Sequence, residues 1–188
     1  MKLVLGLLLI VLSVGTRADW VLNNDESSIN FISIKKSIVG EVHNFKVLSG
    51  TLADNKAVIS IDLSSVETNI SIRNARMQAL FFEVVKFPSA IITSKIDTAR
   101  LLAMKAGDNY RKDITFSLTL HGATKEIISS VYITKLSNGR VAVQSEYPVI
   151  IKTGDFALNK GLEALRGVAK LSHISSAVPV TFRLIFTQ

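Results

Sequence analysis

No cysteine occurs among the 188 residues. A disulfide framework, a thiol nucleophile and a Cys-ligated zinc site are therefore excluded. Exported proteins can do without cysteine, so this absence does not fix the compartment. Histidine is scarce too. His43, His121 and His173 stand far apart, with no metal-binding helix spacing between them. His121 precedes Gly122 at a hairpin, and His43 and His173 sit in polar surroundings. A Gly-x-Ser-x-Gly elbow, a phosphate-binding loop and a dinucleotide fingerprint are missing. Asp113 and Asp155 have no convincing counterpart, and Asp155 beside Phe156 reads as a turn or capping carboxylate. Catalysis needs converging polar groups, so the expectation is a protein that is not an enzyme and uses no cofactor or metal. The 22 basic residues outnumber 15 acids but are scattered, not clustered. Nucleic-acid binding wants a basic stripe interleaved with aromatics, so no nucleic-acid partner is expected. The excess charge suits transient contact with anionic headgroups at a membrane surface, or with a membrane protein.

What is present begins with an export layout. MKLVLGLLLIVLSVGTRADW has one lysine, an apolar run Leu3–Leu12, then small and polar residues with a workable cleavage site after Ala18. The run is short for a membrane span. The expected organisation is a signal peptide over 1–18 and a single domain over 19–188, with the mature protein exported to the periplasm. Hydrophobic residues make up 48%, enough for a well-packed core.

The remainder is dominated by period two. Val178, Val180, Phe182, Leu184 and Phe186 share one parity, against Pro179, Thr181, Arg183 and Thr187. Ile114, Phe116, Leu118 and Leu120 alternate with polar residues in the same way, as do Ala57, Ile59, Ile61 and Leu63. Weaker strands are expected over 28–34, 39–48, 90–98, 125–135 and 140–151. Ser137-Asn138-Gly139 is the clearest hairpin signal. About eight antiparallel strands with short interruptions predict a mainly β protein, a closed barrel or a sandwich.

One stretch breaks the pattern. In RMQALFFEVVKFP (76–88), Met77, Leu80, Phe81 and Val84 recur at helical spacing. The spacing predicts an amphipathic helix over about 71–85, capped by Asn69 or Ser71 and stopped by Pro88. Leu162, Leu165 and Ala169 predict a short second helix between Asn159 and Leu171, weakened by Gly161 and Gly167.

These pieces, taken in order, resemble a known family. SIRNARMQALFFEVVKFPSAIITSK (71–95) is similar to the central signature of the YceI-like lipid- and polyisoprenoid-binding proteins. WVLNNDESSINF (20–31), SVET (65–68), LTLHGATKEI (118–127), GDFAL (154–158) and VPVTFRLIF (178–186) resemble its other segments. The chain departs from the family at Val42-His43-Asn44-Phe45, where Gly is frequent, and at Ile92, where Phe is frequent. The resemblance implies a lipocalin-like barrel with a helix beside it and a long apolar tunnel for an isoprenoid, quinone-type or fatty-acyl chain. It also implies a periplasmic setting and admits pairing of two copies. On that basis Phe31, Ile59, Ile61, Ile92, Phe116, Leu118, Phe182 and Leu184 are expected to line the tunnel. Met77, Leu80 and Phe81 are expected to press the helix onto the barrel or its mouth. Two other readings stand beside the carrier: a small outer-membrane β-barrel, and a lipid-modifying enzyme with His43 or His121 near a carboxylate at the pocket.

Overall fold

The computed structural model describes residues 19–188, so the expected signal peptide and its cleavage near Ala18 lie outside the described residues. The eight stretches read from period-two alternation all form strands, and Trp20–Leu22, Leu48–Ala53 and Val66–Glu67 add three not read from it. The strands are β1 (Trp20–Leu22), β2 (Ser28–Lys35), β3 (Val39–Phe45), β4 (Leu48–Ala53), β5 (Lys56–Asp62), a short β6 (Val66–Glu67) and β7 (Ser89–Lys95). After them come β8 (Asn109–Leu120), β9 (Ala123–Lys135), β10 (Val141–Ser145), β11 (Val149–Lys152) and β12 (Ala177–Thr187). Three helices interrupt them: α1 (Ser71–Arg76), α2 (Thr98–Ala103) and α3 (Asn159–Val168).

These strands form eight staves, because four staves are each built from two consecutive strands. β1 with β2, β3 with β4, β5 with β6, and β10 with β11 each run on across a short irregularity. The order is a plain meander, every neighbouring pair antiparallel. β12 closes the ring, pairing with β10 and β11 on one side and with β1 and β2 on the other. The breaks in the first two staves are stitched by one side chain. Asn24 Oδ1 accepts from the Leu48 N–H at 2.7 Å, and its Nδ2 donates to the Lys46 carbonyl at 3.1 Å. The amide thus takes over ladder bonds that the two kinks would otherwise leave open.

One end of the barrel is filled. Trp20, Leu52, Ile133, Val141 and Phe186 are fully or almost fully buried there, and Trp20 Nε1 donates to the Gly139 carbonyl at 2.9 Å. α2, which the sequence did not announce, lies in the connection from β7 to β8 at this end. Asp97 caps it by accepting from the Arg100 N–H at 2.9 Å, and Leu101 is fully buried.

The opposite end carries the other two helices. The stretch 71–85 is helical but shorter than its spacing predicts. α1 gives way at Met77 to a π turn, Met77–Phe81, sealed by the Phe82 N–H donating to the Met77 carbonyl at 2.9 Å. The wider turn rotates the buried face: Met77, Phe81 and Phe82 are buried, while Leu80 is only half-buried. Neither Asn69 nor Ser71 caps α1. Ile70 occupies that position without a side-chain bond, and Asn69 is left-handed at φ 61°. Asn74 instead reaches back, its Oδ1 accepting from the Thr68 N–H at 2.9 Å and the Thr68 hydroxyl at 2.6 Å.

Glu67 holds this junction. It accepts from the Asn74 side chain at 2.9 Å, the Asn69 N–H at 2.7 Å and Lys46 Nζ at 2.5 Å. The Asn74 and Lys46 hydrogen bonds lower its carboxyl to about 2. A carboxylate depressed in the fold stabilises above the ordinary value of 4.5, and that contribution is lost as the pH falls towards 2. Amide protection factors across residues 68–76 should therefore fall in acid. A Glu67→Gln variant should show the lower protection already at neutral pH and little further acid response.

The outward positions carry Arg111, Asp113, Thr115, Glu126 and Arg183, all exposed. A lipid-facing barrel needs an apolar outer band in their place. Among the described residues no helix is long and apolar enough to cross a membrane.

Candidate functional site

The inward faces at the helix-bearing end do not meet. They enclose a cavity of about 420 Å³, within the range typical of small-molecule sites. Its barrel wall includes Phe31, Phe45, Ala90, Phe116, Leu118 and Phe182. Its cover is the π turn, through Met77, Phe81 and Phe82, and α3, through Leu158, Leu162 and Leu165.

The cover is anchored by rings. Phe31 and Phe45 have centroids 5.4 Å apart, Phe45 and Phe82 5.8 Å, and Phe82 and Phe81 4.9 Å. This chain of aromatic pairs runs from β2 across β3 to the π turn. α3 meets the same turn backbone to backbone. A Cβ on Gly161 would lie 2.6 Å from the Leu80 carbonyl oxygen and 2.8 Å from Phe81 Cα. The glycine that weakened the helix reading is thus required by the packing.

Of the residues expected to line a tunnel, Phe31, Met77, Phe81, Phe116, Leu118 and Phe182 stand on the cavity wall. Ile59, Ile61, Ile92, Leu80 and Leu184 do not. Ile59, Ile61 and Leu184 are buried core, and Ile92 packs against that core. Leu80 contributes its carbonyl to the Gly161 contact. Alternation tells inside from outside but carries no height along the barrel axis, and the cavity occupies one end. Sequence reasoning also missed Phe45, Phe82 and Ala90, and it named the α3 stripe Leu162, Leu165, Ala169 without linking it to the site.

The cavity has one polar wall, also unannounced. Ser33 and Lys35 on β2, Glu41 and His43 on β3, and Arg73 and Arg76 on or beside α1 border it. Glu41 accepts from Arg73 Nη1 at 2.6 Å and Lys35 Nζ at 2.9 Å. Those two cations, the Lys35 hydrogen bond foremost, hold its carboxyl below the usual range. Arg73 also donates from Nη2 to the Thr68 carbonyl at 2.5 Å, so the ion pair ties α1 to the barrel. His43 is 3% exposed, not in the polar surroundings its neighbours suggested. Its Nε2 shares a 2.8 Å hydrogen bond with Ser33 Oγ, and its ring lies 5.2 Å from that of Phe31. His43 Nδ1 and Arg73 Nε are buried without a partner among the described residues.

Burial, and secondarily the Arg73 charge, push the His43 imidazole below 6.5. The unfolded chain therefore takes up a proton that the fold refuses, and stability falls as pH drops below about 6.5. Urea unfolding followed between about pH 7 and 5 should show that decline. His43→Phe should flatten it while leaving the ring contact with Phe31.

The other histidines lie elsewhere. His173 is exposed. His121 Nε2 sits 3.0 Å from Glu83 Oε2 and against the Phe87 ring, off the cavity wall. The histidine–carboxylate hydrogen bond thus lies away from the cavity, and the histidine on the cavity is bonded to a serine. Asp113 and Asp155 are exposed and off the cavity, Asp155 in the turn Thr153–Phe156. Among the described residues no group of His, Asp and Glu is placed to hold a metal ion.

An eight-stave antiparallel barrel, half filled and half hollow, with a π-turned helix over the hollow end, matches one family model. The model of the YceI-like domain covers residues 20–186. The chain belongs to the YceI-like family. A solved polyisoprenoid binding domain from Saccharophagus degradans, implicated in plant cell wall breakdown, is 37% identical over 92% of this chain and 99% of its own, with a TM-score of 0.88. Burkholderia cenocepacia BcnA, at 16% identity and TM-score 0.65, covers 87% of this chain and 98% of its own and shares the fold. So does a Campylobacter jejuni YceI protein, at 22% identity and TM-score 0.55 over 76% of this chain and 82% of its own. A search of curated proteins finds no match. As in these YceI-like folds, the barrel is the structural unit, and the cavity is where this chain's own residues give it character.

Proposed function

We propose that the protein is a carrier for one long apolar lipid chain, an isoprenoid, quinone-type or fatty-acyl tail, held between the barrel and its helical cover. The observation that carries this reading is the cavity itself: a largely apolar hollow on a chain whose 37%-identical structural relative is described as polyisoprenoid-binding. Tail burial gains about 0.8 kcal/mol per methylene before ordering costs are subtracted. No charged partner is needed for that gain, which accounts for a binding site without a sharp sequence motif. The signal-like N-terminus supports export to the periplasm as the setting. A binding role without catalysis fits a His43 whose second ring nitrogen is buried and has, among the described residues, no carboxylate on it to orient the ring as a base toward Ser33.

Native mass spectrometry of protein isolated from the cells that export it, followed by solvent extraction, tests the reading. A stoichiometric mass increment matching a polyprenol, quinone or acyl chain is the expected result. A bare chain mass, unchanged after incubation with such lipids, would overturn it.

A further inference from the structure

The mouth of the cavity is bounded by three segments that are remote in sequence. They are the β2–β3 turn, the start of α1, and the end of α3 with the residues after it. Ile70, Ile72 and Val168 border the cavity and yet are 47%, 60% and 45% exposed. Ile38, at the tip of the β2–β3 turn, is 86% exposed. That turn is held at the mouth by Lys35, which borders the cavity and bridges to Ile174, and by the Lys36 N–H donating to the His173 carbonyl at 3.0 Å. Four large aliphatic side chains thus stand in solvent around one opening, a cluster that marks an interaction surface.

Charge at the same rim identifies the occupant. Lys36 is next but one to Ile38, Arg76 borders the cavity, and Lys170 follows Val168 by two residues. None of the three has an ion-pair partner among the described residues. Lys35 and Arg73 add two further cations against the single carboxylate of Glu41. Exposed aliphatics surrounded by unpaired cations fit the boundary of an anionic bilayer, where side chains enter the acyl region and Lys or Arg remain at the phosphates. A protein partner of matching shape would need acidic groups for these cations. A bilayer supplies acid and hydrocarbon together.

We infer that this rim docks the protein on an anionic membrane with the cavity mouth facing the lipid, so that a tail passes between bilayer and cavity without crossing water. The inference rests on the carrier reading for its purpose, but its readout does not depend on that reading.

Flotation with vesicles of phosphatidylethanolamine and phosphatidylglycerol, and with vesicles of phosphatidylcholine alone, tests it on the exported protein. Wild type should float with the anionic vesicles, weakly with the neutral ones, and release in high salt. Replacing Lys36, Arg76 and Lys170 by Ala should weaken binding by roughly fivefold for each cation removed. The triple variant Ile70→Ser, Ile72→Ser, Val168→Ser should also release, with an unchanged melting temperature because these side chains are exposed. Ile128→Ser, an exposed aliphatic on β9 and off the cavity, is the control and should float like wild type. Failure of wild type to float, or equal loss in the Ile128 variant, would overturn the proposal. So would a dimer in sedimentation that the triple variant dissolves, since a second copy would then cover the rim. If vesicles are not bound but the isolated protein still yields a stoichiometric lipid, docking is wrong and the carrier reading stands.

Discussion

Gly161→Val should cost about 2–4 kcal/mol of stability, among the largest effects of any single substitution outside the filled end of the barrel. The reason lies in what the new side chain meets. At the Cβ position it would already stand 2.6 Å from the Leu80 carbonyl oxygen, 2.8 Å from Phe81 Cα and 3.1 Å from the Phe81 carbonyl oxygen. All three are backbone atoms of the π turn, and no rotamer change can move them. The turn in turn is fixed by the ring chain from Phe81 through Phe82 to Phe45. Relief must therefore come from pushing α3 away, which exposes Leu162 and opens the cavity roof. The measurement is the urea midpoint with the slope m checked for constancy. Gly167→Ala on the same helix is the contrast. Nothing lies within 4 Å of a Cβ there, so the usual helix preference for alanine should stabilise by about 0.5–1 kcal/mol. Two glycines six positions apart should thus respond with opposite sign. If both substitutions destabilise alike, close packing of α3 on the turn is not what Gly161 serves.

The same glycine shows where sequence reasoning stops. The barrel was legible because alternation is a local property: Ile114 to Leu120 and Val178 to Phe186 each declare an inner and an outer face within one strand. The family was legible because six ordinary segments occur in one order. The helix at 71 was legible in position but not in form. A period of 3.6 places Leu80 on the buried face, whereas the π turn buries Phe82 instead, and nothing in the local spacing distinguishes the two. The cavity was legible only in part. Phe116 and Ile61 have the same parity and similar chemistry, yet one borders the hollow and the other is core, because height along the axis depends on register with neighbours. The polar wall was the least legible. Lys35, Glu41 and Arg73 converge from β2, β3 and α1, and 32 residues separate Glu41 from Arg73. His43 reads as polar surface because Asn44 follows it and Glu41 stands two residues before it, whereas strand alternation turns it inward onto Phe31.

Filling the hollow should abolish lipid uptake without loss of fold, and Ala90 is the position from which to fill it. Ala90 is 3% exposed, sits on β7 opposite Ile61, and borders the cavity. A phenylalanine there adds its ring at the cavity wall, where it competes with the ligand for the hollow. A ring that excludes about four methylenes of a tail removes about 3 kcal/mol of burial, a loss of roughly two orders of magnitude in affinity. Stability should hold or rise slightly, since a filled cavity recovers contacts that its lining lacks. Replacing Phe116 and Phe182 together by Asp attacks the same space by a different route. Two carboxylates facing an apolar tail must be desolvated when the ligand enters, so uptake should vanish even where the volume is unchanged. This double variant carries a risk to folding that Ala90→Phe does not, and near-native circular dichroism and melting are the condition for reading it. Co-purified lipid per protein, quantified after extraction, is the measurement for both. If Ala90→Phe is folded and still carries lipid at the wild-type stoichiometry, the tail does not lie in this cavity. If it loses lipid while the anionic-vesicle binding of the rim persists, cargo and docking belong to separate parts of one surface, as the separation of Ala90 inside from Ile72 at the mouth requires.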